Sequence, residues 1–204
     1  MGAGSFLRVR LLHAPALPCP VVASDRATER LLLRPYRAED ADDWLAIEND
    51  ETVRAGLGWP ARRSDAVLRH LRDRTKHTVL RHPGDFLVLA IDYQGRVIGD
   101  VSLHLRTVPA ATRSVEIGWL LLSEFGGQGF ATEAAEAILD VAFEETAASI
   151  VTAVVRDGND ASTKLALRLG FRPAARTCST VTYLLSREDR ARGFSPTSPR
   201  SAQS

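Results

Sequence analysis

SVEIGWLLLSEFGGQGFATEA, residues 114–134, joins three kinds of segment in one short run. Residues 114–122 are mostly apolar and read as a strand. Phe125 to Glu133 then brings Gly126, Gly127 and Gly129 close together. From Ala131 the pattern turns helical: Ala131, Ala134, Ala135, Ile138, Leu139 and Ala142 share one stripe, with Glu133, Glu136, Asp140 and Glu144 opposite. A helix over 131–146 follows from that spacing. The continuous apolar run IVTAVV at 150–155 is a buried strand, so the stretch reads as a βαβ unit.

Upstream, FLVLAID (86–92), the turn Tyr93-Gln94-Gly95 and RVIGDVSLHL (96–105) predict an antiparallel hairpin. RLLLRP (30–35) is a short strand stopped by proline, AEDADDWLAIE (38–48) a helix with acidic residues at its positive end, and 65–80 a second helical stretch. Downstream, 161–169 is a short helix ended by Gly170, and 180–185 a closing strand. The succession is β-α-α-β-β-β-α-β-α-β without internal repeat. It specifies a mixed α/β fold whose sheet is largely antiparallel in its N-terminal part, followed by a βαβ unit, with flanking helices.

With 204 residues, 45% of them hydrophobic and 25% charged, the chain fits one globular domain. A net charge of +1 leaves no surplus for a nucleic-acid backbone, which excludes nucleic acid as a partner. Two cysteines, Cys19 and Cys178, make neither a disulfide framework nor a metal-ligand spacing, and point to a cytoplasmic setting. His13, His70, His77, His82 and His104 show no ligand spacing, so no metal is implied. Residues 1–27 have some apolar character of the kind a signal peptide shows, but Arg8 and Arg10 interrupt the run and three prolines follow, so they read as a flexible extension. The folded domain is expected over 28–186. Residues 187–204, ending in the Ser- and Pro-rich GFSPTSPRSAQS, read as a disordered tail.

The glycine loop admits two readings. It is a tight turn that merely needs glycines, or a cradle whose amides, aided by the helix dipole, face a pyrophosphate. Two common nucleotide readings fail. The Gly-Lys-Ser or Gly-Lys-Thr of a Walker loop is absent, and Thr132 stands where a dinucleotide fingerprint needs its third glycine.

Together with VVRDGNDASTKLALRLGFRP (154–173) and TERLLLRPYRAEDADDW (28–44), the opening quotation resembles the GNAT superfamily of acetyltransferases, of the RimJ and RimL type. The resemblance runs from about Thr28 to Leu185. It implies an acyl-CoA-dependent N-acetyltransferase with acetyl-CoA as cosubstrate. In that family the loop reads Gln or Arg, two residues, Gly, one residue, Gly or Ala. Here Gly126, Gly129 and Ala131 take those positions, and Gly126 departs from the usual side chain. Gly126, Gly127, Gln128, Gly129, Phe130, Ala131 and Thr132 are therefore the expected phosphate neighbours. By the same resemblance, the backbone of Trp119, Leu120, Leu121 and Leu122 pairs with the pantetheine arm, and Asn159 and Ser162 lie near pantetheine and thiol. Read alone, Asn159 and Ser162 also suit a helix cap. Many relatives place a tyrosine as general acid where this chain has Ala166, which turns attention to Ser162 as proton donor.

Glu116 is a carboxylate in an otherwise apolar strand. It is either a general base for the incoming amine, the position where the resemblance places a frequent glutamate, or one half of a structural ion pair with Arg113 or Arg106. The expected chemistry is direct attack of a primary amine in a ternary complex. The acceptor is a protein N-terminus or a small-molecule amine; a non-catalytic acyl-CoA sensor is the alternative. Monomer and homodimer are both compatible with the sequence.

Overall fold

A computed structural model describes residues 15–192. In chain order its elements are strands β1 (Val21–Val22), β2 (Arg26–Ala27) and β3 (Leu32–Arg34), then helices α1 (Ala41–Asn49), α2 (Glu51–Leu57) and α3 (Ser64–Arg74). Strands β4 (Val79–Leu80), β5 (Phe86–Tyr93), β6 (Arg96–Thr107) and β7 (Ser114–Leu121) lead to α4 (Phe130–Asp140). The chain closes with β8 (Ile150–Arg156), α5 (Asp160–Arg168), β9 (Arg172–Arg176), β10 (Thr180–Ser186) and α6 (Arg187–Ala191).

Eight strands form one sheet in the order β2-β3-β5-β6-β7-β8-β10-β9. Its pairs are antiparallel except β7 with β8, which α4 joins as a parallel crossover. The fold is thus the mixed α/β architecture read from the sequence. The β5–β6 turn closes through Gln94 and Gly95, both left-handed at φ 55° and 85°. Both central residues at positive φ make the hairpin turn whose twist matches its strands.

Each face of the sheet carries a helical layer, so β5 is apolar on both sides. Leu87, Leu89 and Ile91 join the cluster that holds Ala134, Ala135, Ile138 and Leu139 of α4. Val88 and Ala90 instead meet Trp44, Ile47, Val67 and Leu71 of α1 and α3. Along β7 the alternation continues, with Val115 and Ile117 toward α4 and Leu120 toward the α1–α3 layer.

The structure differs from the sequence reading in five places. Residues 15–27 are not a flexible extension: Leu17 and Val21 are 4% exposed within the main core, β1 pairs with β4, and β2 pairs with β3. Isolated apolar residues between prolines leave no periodic signal, and only the distant partner strand reveals their role. Helix 65–80 stops at Arg74, because Val79 and Leu80 are drawn into pairing with β1. The unforeseen α2 is capped by Asp50, whose side chain accepts from Thr52 N and Val53 N, and ends at left-handed Gly58. Strand β9, RPAAR, is exposed throughout and exists by pairing with β10. Finally, 187–192 is structured: α6 holds Arg190, which pairs with Glu136 and Asp140 of α4. Residues 1–14 and 193–204, the outer parts of the expected extension and tail, lie outside the described residues. The helix expected over 131–146 is present, its last turn widened into a π-helical segment over Val141–Glu145.

Burial of Leu17 makes its removal costly. Leu17→Ala is expected to destabilise the protein by about 2 kcal/mol or more, the usual scale for a leucine truncated in a packed core. Urea unfolding measures this directly, and a loss below about 0.5 kcal/mol, as at surface positions, would mean the segment merely drapes over the sheet.

Candidate active site

The parallel pairing of β7 with β8 runs from Ser114↔Ile150 to Ile117↔Ala153 and stops there. Beyond it, β7 stays on β6 as far as Leu121↔Gly99, while β8 follows β10 as far as Arg156↔Thr180. The two strands therefore part within the sheet. An opened strand edge offers backbone donors and acceptors to any extended, amide-bearing guest, which can add to it as a strand would. The gap widens into a cleft of about 1030 Å³, a volume suited to a large ligand.

Trp119, Leu120, Leu121 and Leu122 form one wall of this cleft. The floor behind them depends on a glycine: a Cβ at Gly99 would lie 2.3 Å from the Leu120 carbonyl oxygen, so only glycine lets β6 approach β7 so closely. The other long wall is the loop and first turn of α4, comprising Gly126, Gly127, Gln128, Gly129, Phe130, Ala131 and Thr132. Gly127 and Gly129 sit at φ 76° and 86°, a region that disfavours side chains. Gly129 is the N-cap of α4 and supplies no side-chain oxygen, so the first-turn amides have no side-chain cap. Such a terminus is an anion site by geometry and dipole.

Asn159 and Ser162 form the third side. Asn159 does cap α5, its Oδ1 accepting from Ser162 N at 3.0 Å, and its Nδ2 also donates to Gly56 O of α2 at 3.2 Å. The Trp119 indole donates to Ser162 Oγ at 3.2 Å. An indole N–H can only donate, so the serine is the acceptor and its own hydroxyl proton stays free to donate.

Glu116 is absent from the cleft lining. It sits two residues before the opening, and Arg106 Nε and Nη2 both donate to its Oε2, at 3.2 and 2.9 Å. Of the two ion pairs foreseen, the one with Arg106 forms; Arg113 is buried and donates instead to the Val108 and Thr146 carbonyls. Oε1 of Glu116 has no hydrogen bond among the described residues. Opposite Glu116 in the register is His104, stacked on Phe86 at 4.2 Å. Burial first, then the charges of Arg106, Arg74 and His77, push its pKa down to about 4, so the ring is neutral near pH 7.

The sequence reading passed over several cleft residues. Arg30 reaches the loop from the β2–β3 turn, and Lys164 and Arg168 line the cleft from α5, so three cations border it. Arg30 stands a hundred residues from the loop and belongs to no periodic pattern; its place in the opening motif was the only available signal. Gly56 and Leu57 of the unforeseen α2 complete the inner end. Asp50 fixes that helix to the end of β7: Oδ1 caps α2 while Oδ2 accepts from Ser123 N at 2.8 Å. Burial opposes the charge of Asp50, but the amides of Ser123, Val53 and Thr52 outweigh it and hold the carboxyl below its ordinary value. Among the described residues, no cluster of three or more His, Cys, Asp or Glu side chains could hold a metal ion, and no helix is long and apolar enough to cross a membrane.

A parted parallel strand pair beside a glycine-rich helix start is a distinctive combination, and comparison with known proteins gives it a family. Residues 30–172 match the family model described as an acetyltransferase (GNAT) domain. The chain belongs to the GNAT acetyltransferase family. Among curated proteins, the "Putative ribosomal N-acetyltransferase YdaF" of Bacillus subtilis (strain 168) is 34% identical over 79 residues, 39% of this chain. That match spans 42% of the relative's length. Among solved structures, a GNAT-family acetyltransferase from Bacillus anthracis superposes with a TM-score of 0.68 at 18% identity, covering 81% of this chain and 99% of the other. RimL, the ribosomal L7/L12 alpha-N-protein acetyltransferase in complex with coenzyme A, superposes at 0.63 with 16% identity, covering 80% and 98%. Both structural likenesses concern the fold.

Within this GNAT domain, His104 ties stability to pH. Its folded pKa lies below the unfolded value near ~6.5, so between those values the unfolded chain binds the extra proton and stability falls as pH falls. The melting temperature should drop from about pH 6.5 toward pH 4, and less steeply in His104→Gln than in the parent chain. Identical slopes would mean that the ring is already solvated.

Proposed function

We propose that this GNAT domain transfers an acetyl group from acetyl-CoA to a primary amine by direct attack in a ternary complex. The observation that carries the reading is the parted β7–β8 edge leading directly to the uncapped start of α4. The chemistry of coenzyme A fits both parts. Its pantetheine arm carries amides that can pair with the free edge of β7 from Trp119 to Leu122, and its diphosphate suits the amides of residues 126–132. The thioester supplies the acetyl group.

In this reading the chain's own residues do three things. A β7 amide near Trp119 faces the carbonyl oxygen on which charge develops. Ser162, free to donate its proton, protonates the departing thiolate. Glu116, with Oε1 open, takes the amine proton directly or through water, while Arg106 holds its other oxygen. The names of the relatives YdaF and RimL support a protein amine of the ribosomal type as acceptor. A non-catalytic acyl-CoA sensor is the competing reading, favoured by the engagement of Glu116 with Arg106.

Thiol release from acetyl-CoA, followed over a panel of small amines and ribosomal-protein N-terminal peptides, separates the two. Turnover with peptide amines is expected; coenzyme A binding without turnover on any amine would favour the sensor. Glu116→Gln should leave coenzyme A affinity nearly unchanged while kcat falls by at least about tenfold, with partial recovery at high pH where more amine is already deprotonated. Should stability fall with the rate per folded molecule intact, Glu116 is only the partner of Arg106. Ser162→Ala should likewise lower kcat by about tenfold or more, and a change confined to KM would assign Ser162 to binding.

A further inference from the structure

The turn between β2 and β3 is bound to the phosphate loop by a network centred on one carboxylate. Glu133, in the first turns of α4, accepts from Thr28 Oγ1 at 2.5 Å and from the backbone N–H of Arg30 at 2.7 Å through Oε1. Its Oε2 receives Arg30 Nε and Nη2, each at 2.7 Å. The same guanidinium donates through Nη1 to the Gln128 carbonyl at 2.9 Å and lies over the Phe130 ring, 4.4 Å from its centroid. An exposed ion pair adds little to stability, and the Arg30 side chain is 39% exposed. What the arrangement controls is the geometry and charge of the loop.

Two physical consequences follow. In a planar trans peptide the C=O and N–H point in opposite directions, so holding the Gln128 carbonyl fixes where the Gly129 N–H points. The torsion on its C-terminal side is the φ of left-handed Gly129, and glycine accepts either sign of φ at small cost. The loop itself therefore does little to prevent the peptide from turning over, and the Arg30 contact selects one orientation. The second consequence concerns charge. An unneutralised carboxylate at 133 would compete with a phosphate for the positive end of α4. Burial opposes the Glu133 charge, but the Thr28 hydroxyl and the Arg30 amide and guanidinium prevail and keep the group ionised, with its pKa below the ordinary value. Both oxygens are thus already engaged by the β2–β3 turn and not by the cleft.

We propose that Arg30, locked by Glu133 and Thr28, is a positioning residue for the coenzyme's diphosphate: it fixes the 128–129 peptide and cancels the carboxylate charge beside the loop. The proposal rests on the coenzyme A reading given above and adds to it a determinant of donor recognition from outside the loop. It also links the first motif of the chain to the glycine loop, two stretches separated by about a hundred residues.

The test compares two donors, acetyl-CoA and S-acetylpantetheine, which lacks the diphosphate, across the parent chain, Arg30→Ala, Arg30→Lys and Arg30→Ala with Glu133→Gln. Arg30→Ala should raise KM for acetyl-CoA by about tenfold or more, the scale of a lost charge-assisted hydrogen bond, with a much smaller change in kcat. Its loss of kcat/KM with S-acetylpantetheine should be far smaller. Adding Glu133→Gln should restore part of the acetyl-CoA defect, since the uncancelled charge is then gone. Arg30→Lys should fall between parent and Arg30→Ala, because lysine keeps the charge but cannot hold Glu133 and Gln128 together. Equal losses with both donors would make Arg30 a general brace, and an unchanged KM in a folded variant would remove it from donor recognition; either result overturns the proposal. If Arg30→Ala melts below the assay temperature, Arg30→Lys carries the same comparison. A parent chain that binds no coenzyme A and treats both donors alike would overturn the coenzyme reading itself, a result distinct from the other two.

Discussion

The site depends on one constraint: two neighbouring strands of a single sheet stay paired for four residues and then separate. At the pair Ile117↔Ala153 the parallel ladder stops, and from there each strand is held by its other neighbour, β7 by β6 and β8 by β10. A sheet interior normally leaves no free backbone groups. This one leaves a row of them beside the start of α4, with the Trp119 indole reaching across to Ser162. The cleft is therefore lined by main chain, which suits a ligand that is itself peptide-like along part of its length.

The helical layer above β5 and β6 supplies the inner end of that cleft, and its attachment is polar as well as apolar. Arg74, at the end of α3, places Nη1 2.6 Å from Asp100 Oδ2 on β6, and the Tyr36 hydroxyl donates to the same oxygen at 3.0 Å. Trp44 lies 4.4 Å beneath the guanidinium, with Tyr36 and Trp59 beside it. Burial raises the pKa of Asp100 despite the nearby Arg74 charge and the Tyr36 hydrogen bond. Buried pairs of this kind are poor sources of net stability, but losing one partner strands the other charge at a cost of about 3–5 kcal/mol, which selects a single seating of the layer. That seating puts α2 where Asn159 can reach Gly56 and Asp50 can reach Ser123.

Charge is arranged in two zones. The loop end of the cleft brings Arg30 and Arg168 to a helix start, at the Gln128 carbonyl and the Thr132 hydroxyl, a setting for phosphates. The strand just before the opening carries Glu116 with Arg106 and a neutral His104 opposite. The two ends of the opened strand therefore present different electrostatic surroundings.

The sequence by itself determined the parts whose signal is local. Residues 114–134 announced strand, loop and helix, because alternation, clustered glycines and a helical stripe each follow from neighbouring residues alone. The hairpin at Gln94-Gly95 and the closing strand at Thr180–Ser186 were legible for the same reason. Family resemblance pointed to part of the cleft lining, residues 119–122, 126–132, Asn159 and Ser162, but not to Arg30, Gly56, Lys164 or Arg168. Only the tertiary structure decided the rest. Leu17, Val21 and the exposed β9 are ordered by partner strands far away, so no periodicity betrays them. It also gave Glu116 its partner Arg106 and closed Arg30 onto Glu133 and Gln128. A hydrogen bond between residues a hundred positions apart leaves no spacing in a single sequence, because its length is set by how the intervening sheet folds back.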